Sequence, residues 1–241
     1  MIRRVWERMG EFLFPSRAVC LNCGDPSGLE EEWLCARCRA RLKPGVHAVQ
    51  SDEWPEDGVS RAWFALYYEE PIARLIRAFK YDGVYRLAPF FISCMRSLLA
   101  TIRSEGFDCV VPVPLHEKRL RERGFNQAEV MAAFISQETG IPLRDVLRRT
   151  RNTKRQARLP VTSRRENVHG AFTCACRLSG LKVLLVDDVF TTGSTANSCA
   201  KALRLAGARD AQALTLAGSR RYRRSKDRIY RKNAASNSSK P

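Results

Sequence analysis

The stretch Val183-Leu184-Leu185-Val186-Asp187-Asp188-Val189-Phe190-Thr191-Thr192-Gly193-Ser194-Thr195 leaves the fewest options for the fold. Four consecutive aliphatic residues with no polar alternation predict a strand buried on both faces, the kind found in a parallel sheet. Two adjacent carboxylates then stand at the carboxyl end of that strand. A small, hydroxyl-rich turn follows and enters a helix over 195–205, closed near Gly207. Backbone N–H groups at a helix start, backed by its dipole, bind phosphate. Thr191, Thr192, Ser194 and Thr195 add hydroxyl donors, and Gly193 permits close approach of the backbone. Asp187 and Asp188 cannot bind phosphate themselves; they suit ribose hydroxyls or a hydrated Mg2+. A sugar phosphate held at both ends is the ligand this pattern points to. No G-x-G-x-x-G after a strand and no G-x4-G-K-[ST] occurs, which disfavours dinucleotide and ordinary nucleoside triphosphate loops.

The rest of the chain from Arg61 alternates in the same way. Ala62–Tyr68 reads as a buried strand, and Pro71 opens a helix whose Ile72, Leu75, Ile76 and Phe79 share one face, with Gly83 just beyond it. Ala88, Phe91, Ile92, Met95, Leu99 and Ile102 define a second helix. Asp108–Val113 reads as a strand that Pro112 restricts to an edge or an end. Asn126, with Glu129 three residues on, resembles a capping box, and Gly140 closes the helix behind it. Ala211–Ala217 is the last strand. The fold class expected is α/β, a mostly parallel sheet flanked by helices.

Ahead of this region, Cys20, Cys23, Cys35 and Cys38 form two C-x2-C pairs separated by eleven residues. Each pair presents two sulfurs to one ion, and four thiolates hold Zn2+ tetrahedrally with no position left open for catalysis. The spacer is long enough for a hairpin, Gly24 suits a tight turn, and Arg17, Arg37, Arg39 and Arg41 offset the negative charge of the thiolates. A structural Zn2+ in a small four-cysteine ribbon is the expectation. Nine cysteines, an odd number unevenly spread, do not make a secreted disulfide framework and place the chain in the cytoplasm.

The expected organisation is a short amphipathic helix at 1–15, the zinc ribbon at 16–45, a polar linker at 46–60, the α/β domain at 61–219 and a basic tail at 220–241. In the first of these, Ile2, Val5, Trp6, Met9 and Leu13 oppose Arg3, Arg4 and Arg8. That face either rests on an anionic membrane or packs against the rest of the protein. The opening residues are too charged for a secretory signal, and no apolar run reaches the length of a transmembrane helix. The formal net charge of +17 calls for a polyanionic ligand, whether nucleic acid, phosphorylated metabolite or acidic surface. Aromatic residues able to stack single strands are sparse among the cations: Tyr222 and Tyr230 in the tail, Phe125 in a loop.

The segment 183–195 resembles the phosphoribosyl diphosphate (PRPP) signature of type I phosphoribosyltransferases. With the amino-terminal four-cysteine ribbon, Val111-Pro112-Val113-Pro114-Leu115-His116, Arg123-Gly124-Phe125-Asn126-Gln127, Gln156, Arg164, Asn167 and Gly170-Ala171-Phe172, the whole chain resembles the ComF family, associated with bacterial competence for DNA uptake. The resemblance implies that the loop 114–127, carrying His116, Lys118, Arg119, Arg121 and Arg123, grips diphosphate, with Arg119 and Arg123 leading. A solvated face is the alternative for any one of these cations. It implies that 148–156 belongs to a mobile hood, that Asp187 and Asp188 fix the ribose, and that Mg2+ accompanies PRPP. Thr191 stands where many purine-using relatives carry an acid, so an oxopurine acceptor is disfavoured. Two functions follow as expectations: transfer of phosphoribosyl from PRPP with release of diphosphate, or a non-catalytic PRPP sensor that handles nucleic acid. Single-stranded DNA, through the basic loop and tail, and competence proteins are the candidate partners.

Overall fold

The computed structural model describes residues 19–26, 29–31, 33–82, 84, 86–150 and 171–223. Residues 1–18, 151–170 and 224–241, to which the sequence assigns the amphipathic stretch, most of the hood and the greater part of the tail, lie outside the described residues. The chain divides into two compact units, Met1–Leu42 and Lys43–Pro241. Among the described residues no helix is long and apolar enough to cross a membrane.

In the first unit β1 (Leu29–Glu31) pairs antiparallel with β2 (Leu34–Cys35), and β2 leads directly into the short helix α1 (Ala36–Arg39). The hairpin expected from the eleven-residue spacer is therefore present. Leu34 and three of the four ribbon cysteines are buried, a core too small to do without a cross-link or metal.

The second unit is built on a five-stranded sheet in the order β3-β4-β9-β8-β5. These are β3 (His47–Val49), β4 (Arg61–Tyr67), β5 (Cys109–Pro112), β8 (Lys182–Phe190) and β9 (Asp210–Gly218). Four strands run parallel, and β3 is antiparallel to β4. The stretch 46–60 is thus more than a linker: it supplies an edge strand, with His47 opposite Phe64 and its ring stacked on that side chain at 5.0 Å. The strand Ala211–Ala217, last in sequence, is central in space, and its almost complete burial reflects a neighbour on each side.

Helices α2 (Ile72–Tyr81), α3 (Leu87–Ser104), α4 (Glu117–Arg123) and α5 (Gln127–Thr139) lie between β4 and β8 in sequence, and α6 (Ser194–Leu205) links β8 to β9. Alternate side chains serve the two faces of the sheet. Phe64, Val111, Leu185 and Ala213 pack with Ala200 and Leu203 of α6 in one cluster, joined by the hairpin β6 (Leu147–Arg149) and β7 (Phe172–Cys174). On α2 the stripe Ile72, Leu75, Ile76 and Phe79 is buried as expected, and Phe79 meets Phe91 edge to face at 5.2 Å. Full burial of each such large side chain contributes about 1.5–3 kcal/mol. Asn126 caps α5 by accepting from the Ala128 N–H at 3.1 Å, while Glu129 accepts from the Asn126 side-chain amide rather than its backbone. Gly140 closes the helix in the left-handed region.

Two boundaries differ from the sequence reading. β8 runs on to Phe190, because β9 continues to pair with it through Phe190 and Gly218, so the acids lie inside the strand rather than at its end. Arg148 and Arg149, assigned to the hood, belong to β6 and pair with Thr173 and Phe172. β5 is an edge strand ending on Pro112, as that proline requires. Its outer side is covered by residues 142–144, where the Val110 N–H donates to the Pro142 carbonyl and the Arg144 N–H to the Val110 carbonyl.

Candidate PRPP site and metal centre

The four ribbon cysteines bring their sulfurs within 4.8 Å of one another. The first pair sits on a turn closed by the Gly24 N–H on the Cys20 carbonyl, 2.8 Å, and Gly24 takes φ +76°, a conformation other residues adopt at a cost. The second pair spans the start of α1, with Cys35 as its cap residue and Cys38 one turn on. The Asn22 amide donates to Cys38 Sγ at 3.2 Å, and the sulfurs of Cys23 and Cys35 are 3.7 Å apart. Burial opposes ionisation of the Cys20 thiol, but backbone N–H groups of Cys35, Cys23 and Asn22 outweigh it and lower its pKa to about 6. Burial pushes the Cys38 thiol up, to about 12, so the cluster's ionisation is divided; its four sulfurs, close together, can hold a metal ion such as Zn2+ and leave no coordination position for a substrate.

In the second unit the carboxyl end of β8, the turn at 191–193 and the start of α6 form a small cleft open to solvent. Asp187, Thr191, Thr192, Gly193, Ser194 and Thr195 all line it, with Ala213 and Thr215 of β9 as its wall. Gly193 has φ +79°, and a Cβ there would come within 2.9 Å of the Phe190 ring, so the turn fits only glycine. Gly193 at the cap position has no side chain, and the Thr192 hydroxyl accepts from the Ser194 N–H at 3.4 Å. Thr192 and Ser194 share a hydroxyl–hydroxyl hydrogen bond of 2.8 Å. The first turn of α6 thus borders the cleft with hydroxyls beside it, an arrangement suited to a phosphate monoester. Behind the turn, Arg221 of the 3-10 helix Arg220–Arg223 donates to the Thr192 carbonyl at 3.2 Å. Tyr222 is buried against Phe190 and Trp54, so it belongs to the core and is no stacking platform.

Because Asp187 and Asp188 lie within a strand, their side chains leave it on opposite faces. Asp187 lines the cleft and accepts from the Asp188 N–H at 2.8 Å. Burial, then the neighbouring Asp188 charge, raises its carboxyl to about 7 in spite of Lys80 and that N–H. Asp188 is instead ion-paired with Lys80 of α2, Oδ2 to Nζ 2.5 Å, the two side chains only 8% and 22% exposed. Burial acts against the Lys80 charge, but Asp188 and Asp187 overcome it and its pKa is raised. Lys80 was legible in principle. It stands four residues after Ile76, in line with the apolar stripe of α2, and a cation there needs a buried carboxylate.

The basic loop is divided by the fold. Arg121 pairs with Glu117 at 3.6 Å on the outer surface, both side chains exposed. Lys118 is also exposed, and its N–H meets His116 Nδ1 at 3.2 Å, making His116 the cap of α4. Arg119 and Arg123 are half-buried. Arg123 donates to Gln127 Oε1 at 2.9 Å and to the Tyr81 hydroxyl at 3.3 Å, and lies close enough to Lys80 to oppose its charge. Arg119 neighbours Arg149, whose guanidinium covers the Phe172 ring at 5.2 Å. Burial, and then the Arg119 charge, lowers the Arg149 pKa, while Asp187 is near enough to resist the change. Arg149 is a second residue that the sequence reading missed, because the run of cations around it reads as one mobile segment.

The family model described as Phosphoribosyl transferase domain matches residues 126–239. Competence protein F of Haemophilus influenzae is 34% identical over 224 residues, covering 82% of this chain and 96% of that one. Competence protein ComFC of Streptococcus pneumoniae is 30% identical, covering 82% and 86%. DNA utilization protein YhgH of Salmonella typhi is 28% identical, covering 81% and 82%. With identity of this level to Competence protein F over most of both chains, and a phosphoribosyl transferase domain matched within it, the chain belongs to the ComF family of the phosphoribosyltransferase superfamily.

Proposed function

We propose that this protein binds Mg-PRPP and transfers its phosphoribosyl group to an acceptor with release of diphosphate, in a cytoplasmic role tied to competence and DNA uptake. The observation that carries this reading is the convergence, in one cleft, of a helix start with glycine at its cap position, its hydroxyl-bearing turn and the Asp187 carboxyl. The N–H groups of 193–195 and the hydroxyls of Thr192, Ser194 and Thr195 hold the 5′-phosphate, and Thr191 lies at the exposed lip. Asp187 orients the ribose hydroxyls. Arg119 and Arg123 attract the diphosphate through charge-assisted hydrogen bonds. Mg2+ typically takes one or two carboxylates plus substrate oxygens, and the ionised Asp187 carboxylate would supply one of them; when bound the ion disperses the charge of the leaving diphosphate. In the first unit Zn2+ is structural.

Calorimetric titration of the full chain with Mg-PRPP tests the reading. One equivalent binds, and Asp187→Asn weakens binding at least tenfold. No heat from folded wild type overturns it. Diphosphate release on addition of candidate nucleophiles then distinguishes transfer from binding alone.

A second reading, a PRPP-responsive factor that handles nucleic acid without turnover, is favoured by the names of the relatives and by the +17 charge. Competence that survives Asp187→Asn, in cells where that variant no longer binds PRPP, supports a role that does not use the cleft.

A further inference from the structure

The 3-10 helix Arg220–Arg223 follows β9 and is pinned beside the end of β8. The Ser219 N–H donates to the Phe190 carbonyl at 2.9 Å, Arg220 pairs with Glu69, and the buried Tyr222 ring lies 5.6 Å from that of Phe190. This seat fixes Arg221. Its guanidinium covers the Tyr222 ring at 4.6 Å from the centroid, and it donates to the Tyr222 hydroxyl and, at 3.2 Å, to the Thr192 carbonyl. Arg221 is exposed and is not among the residues that line the cleft, whereas Thr192, Gly193 and Ser194 are. The peptide between Thr192 and Gly193 is trans, so its C=O and N–H point in opposite directions. A Thr192 carbonyl drawn toward Arg221 therefore sends the Gly193 N–H away from Arg221. Gly193 stands at φ +79°, ψ −4°, as the third residue of a type II turn does. In the type I alternative, with φ of about −90°, this same peptide is rotated by about half a turn and its carbonyl replaces its N–H. Glycine adopts both forms at little cost, so residue type alone does not choose between them. The choice matters to an anion, which an N–H attracts and a carbonyl repels.

We propose that Arg221 is a positioning residue for the 5′-phosphate turn: by holding the Thr192 carbonyl on the side away from the ligand, it keeps the Gly193 N–H available as a phosphate donor. The proposal rests on the PRPP reading above and extends it to a residue beyond β9, outside the sequence motif. An arginine suits the part. Its planar guanidinium stays charged, stacks on the Tyr222 face and still has N–H groups for a carbonyl, to which it makes a charge-assisted hydrogen bond.

Calorimetric titration of the full chain with Mg-PRPP compares two variants that each remove one cation from the same 3-10 helix. Arg221→Met is expected to bind about tenfold more weakly than wild type, and Arg220→Met, which loses the pair with Glu69, to stay within about twofold of it. A loss caused by overall charge is the same in both, so equal affinities of the two folded variants overturn the proposal. Phosphorus NMR at saturating Mg-PRPP reads the 5′-phosphate and the diphosphate separately. Arg221→Met is expected to shift the bound 5′-phosphate resonance and to leave those of the diphosphate in place; an unmoved 5′-phosphate resonance, or an equal change in the diphosphate, also overturns it. Thermal melting checks the fold. Should Arg221→Met not fold, the same comparison is made between Arg221→Lys and Arg220→Lys, because lysine keeps the charge but not the planar fork. Wild type that binds no Mg-PRPP removes the PRPP reading and this proposal together, whereas wild type that binds it, with Arg221→Met unimpaired, removes this proposal alone.

Discussion

Asp187 carries a proton that an unfolded chain would have lost. Its carboxyl titrates at about 7 in the fold against 3.8 in the open chain, so between these values the folded state binds more protons. Stability from this group is full below pH 4 and declines as pH rises to 7. Asp187→Asn preserves the acceptor for the Asp188 N–H without the charge. It is therefore expected to be more stable than wild type at pH 8, by about 1–3 kcal/mol, and to lose that advantage at pH 4. Urea unfolding at the two pH values checks this; an equal difference at both would show that ionisation of Asp187 is not the cause. At this scale the sequence was informative where chemistry is local. The hydroxyls, Gly193 and Asp187 are brought into one cleft by the turn that their own residue types favour. It was silent where a partner is remote, as with Lys80 and Asp188, 108 residues apart along the chain. It treated two adjacent acids as one group, whereas a strand that continues to Phe190 sends them to opposite faces, and it set Tyr222 among the stacking aromatics, whereas that ring is buried.

The elements divide into those that hold themselves and those that need an added constraint. The hairpin β1–β2 with α1 has few buried apolar residues, and its four sulfurs converge from two separate turns. Such a unit takes its folding energy largely from the ion. A strong chelator is expected to abolish the near-ultraviolet signal of Trp33 while leaving the melting of the α/β domain within a few degrees, and Cys38→Ser to do the same without chelator. A native Trp33 signal after complete removal of metal would argue against a metal-dependent unit. Strands and helices with strong patterns were legible: the stripe of α2, the Asn126 cap and the buried β8 all formed as their periodicity requires. β3 was not, because its three residues lie among prolines, glycines and acids, and only pairing with β4 makes them a strand.

Across the whole molecule, charge is the property that composition determines most directly. With 42 basic against 25 acidic residues, attraction to a polyanion is general, and Tyr222, an aromatic residue beside the tail cations, is buried. Affinity for an unstructured single-stranded oligonucleotide is therefore expected to fall at least tenfold between 50 and 200 mM salt and to vary little with base sequence. Filter binding or fluorescence anisotropy measures both; affinity independent of salt would require contacts to the bases. The topology was only partly legible, since parallel strands separated by helices can be ordered in several ways. The long β8–β9 register, which puts the final strand at the centre, depends on contacts between distant residues.

The outer margin of the sheet at β5 illustrates what such an arrangement prevents. With Pro142 and Arg144 engaging the backbone of Val110, and Pro112 offering no N–H beyond it, a foreign β-segment finds no template there. Polymerisation by strand addition is closed off at that border, so raising the ionic strength can screen repulsion between molecules without opening this route to fibres.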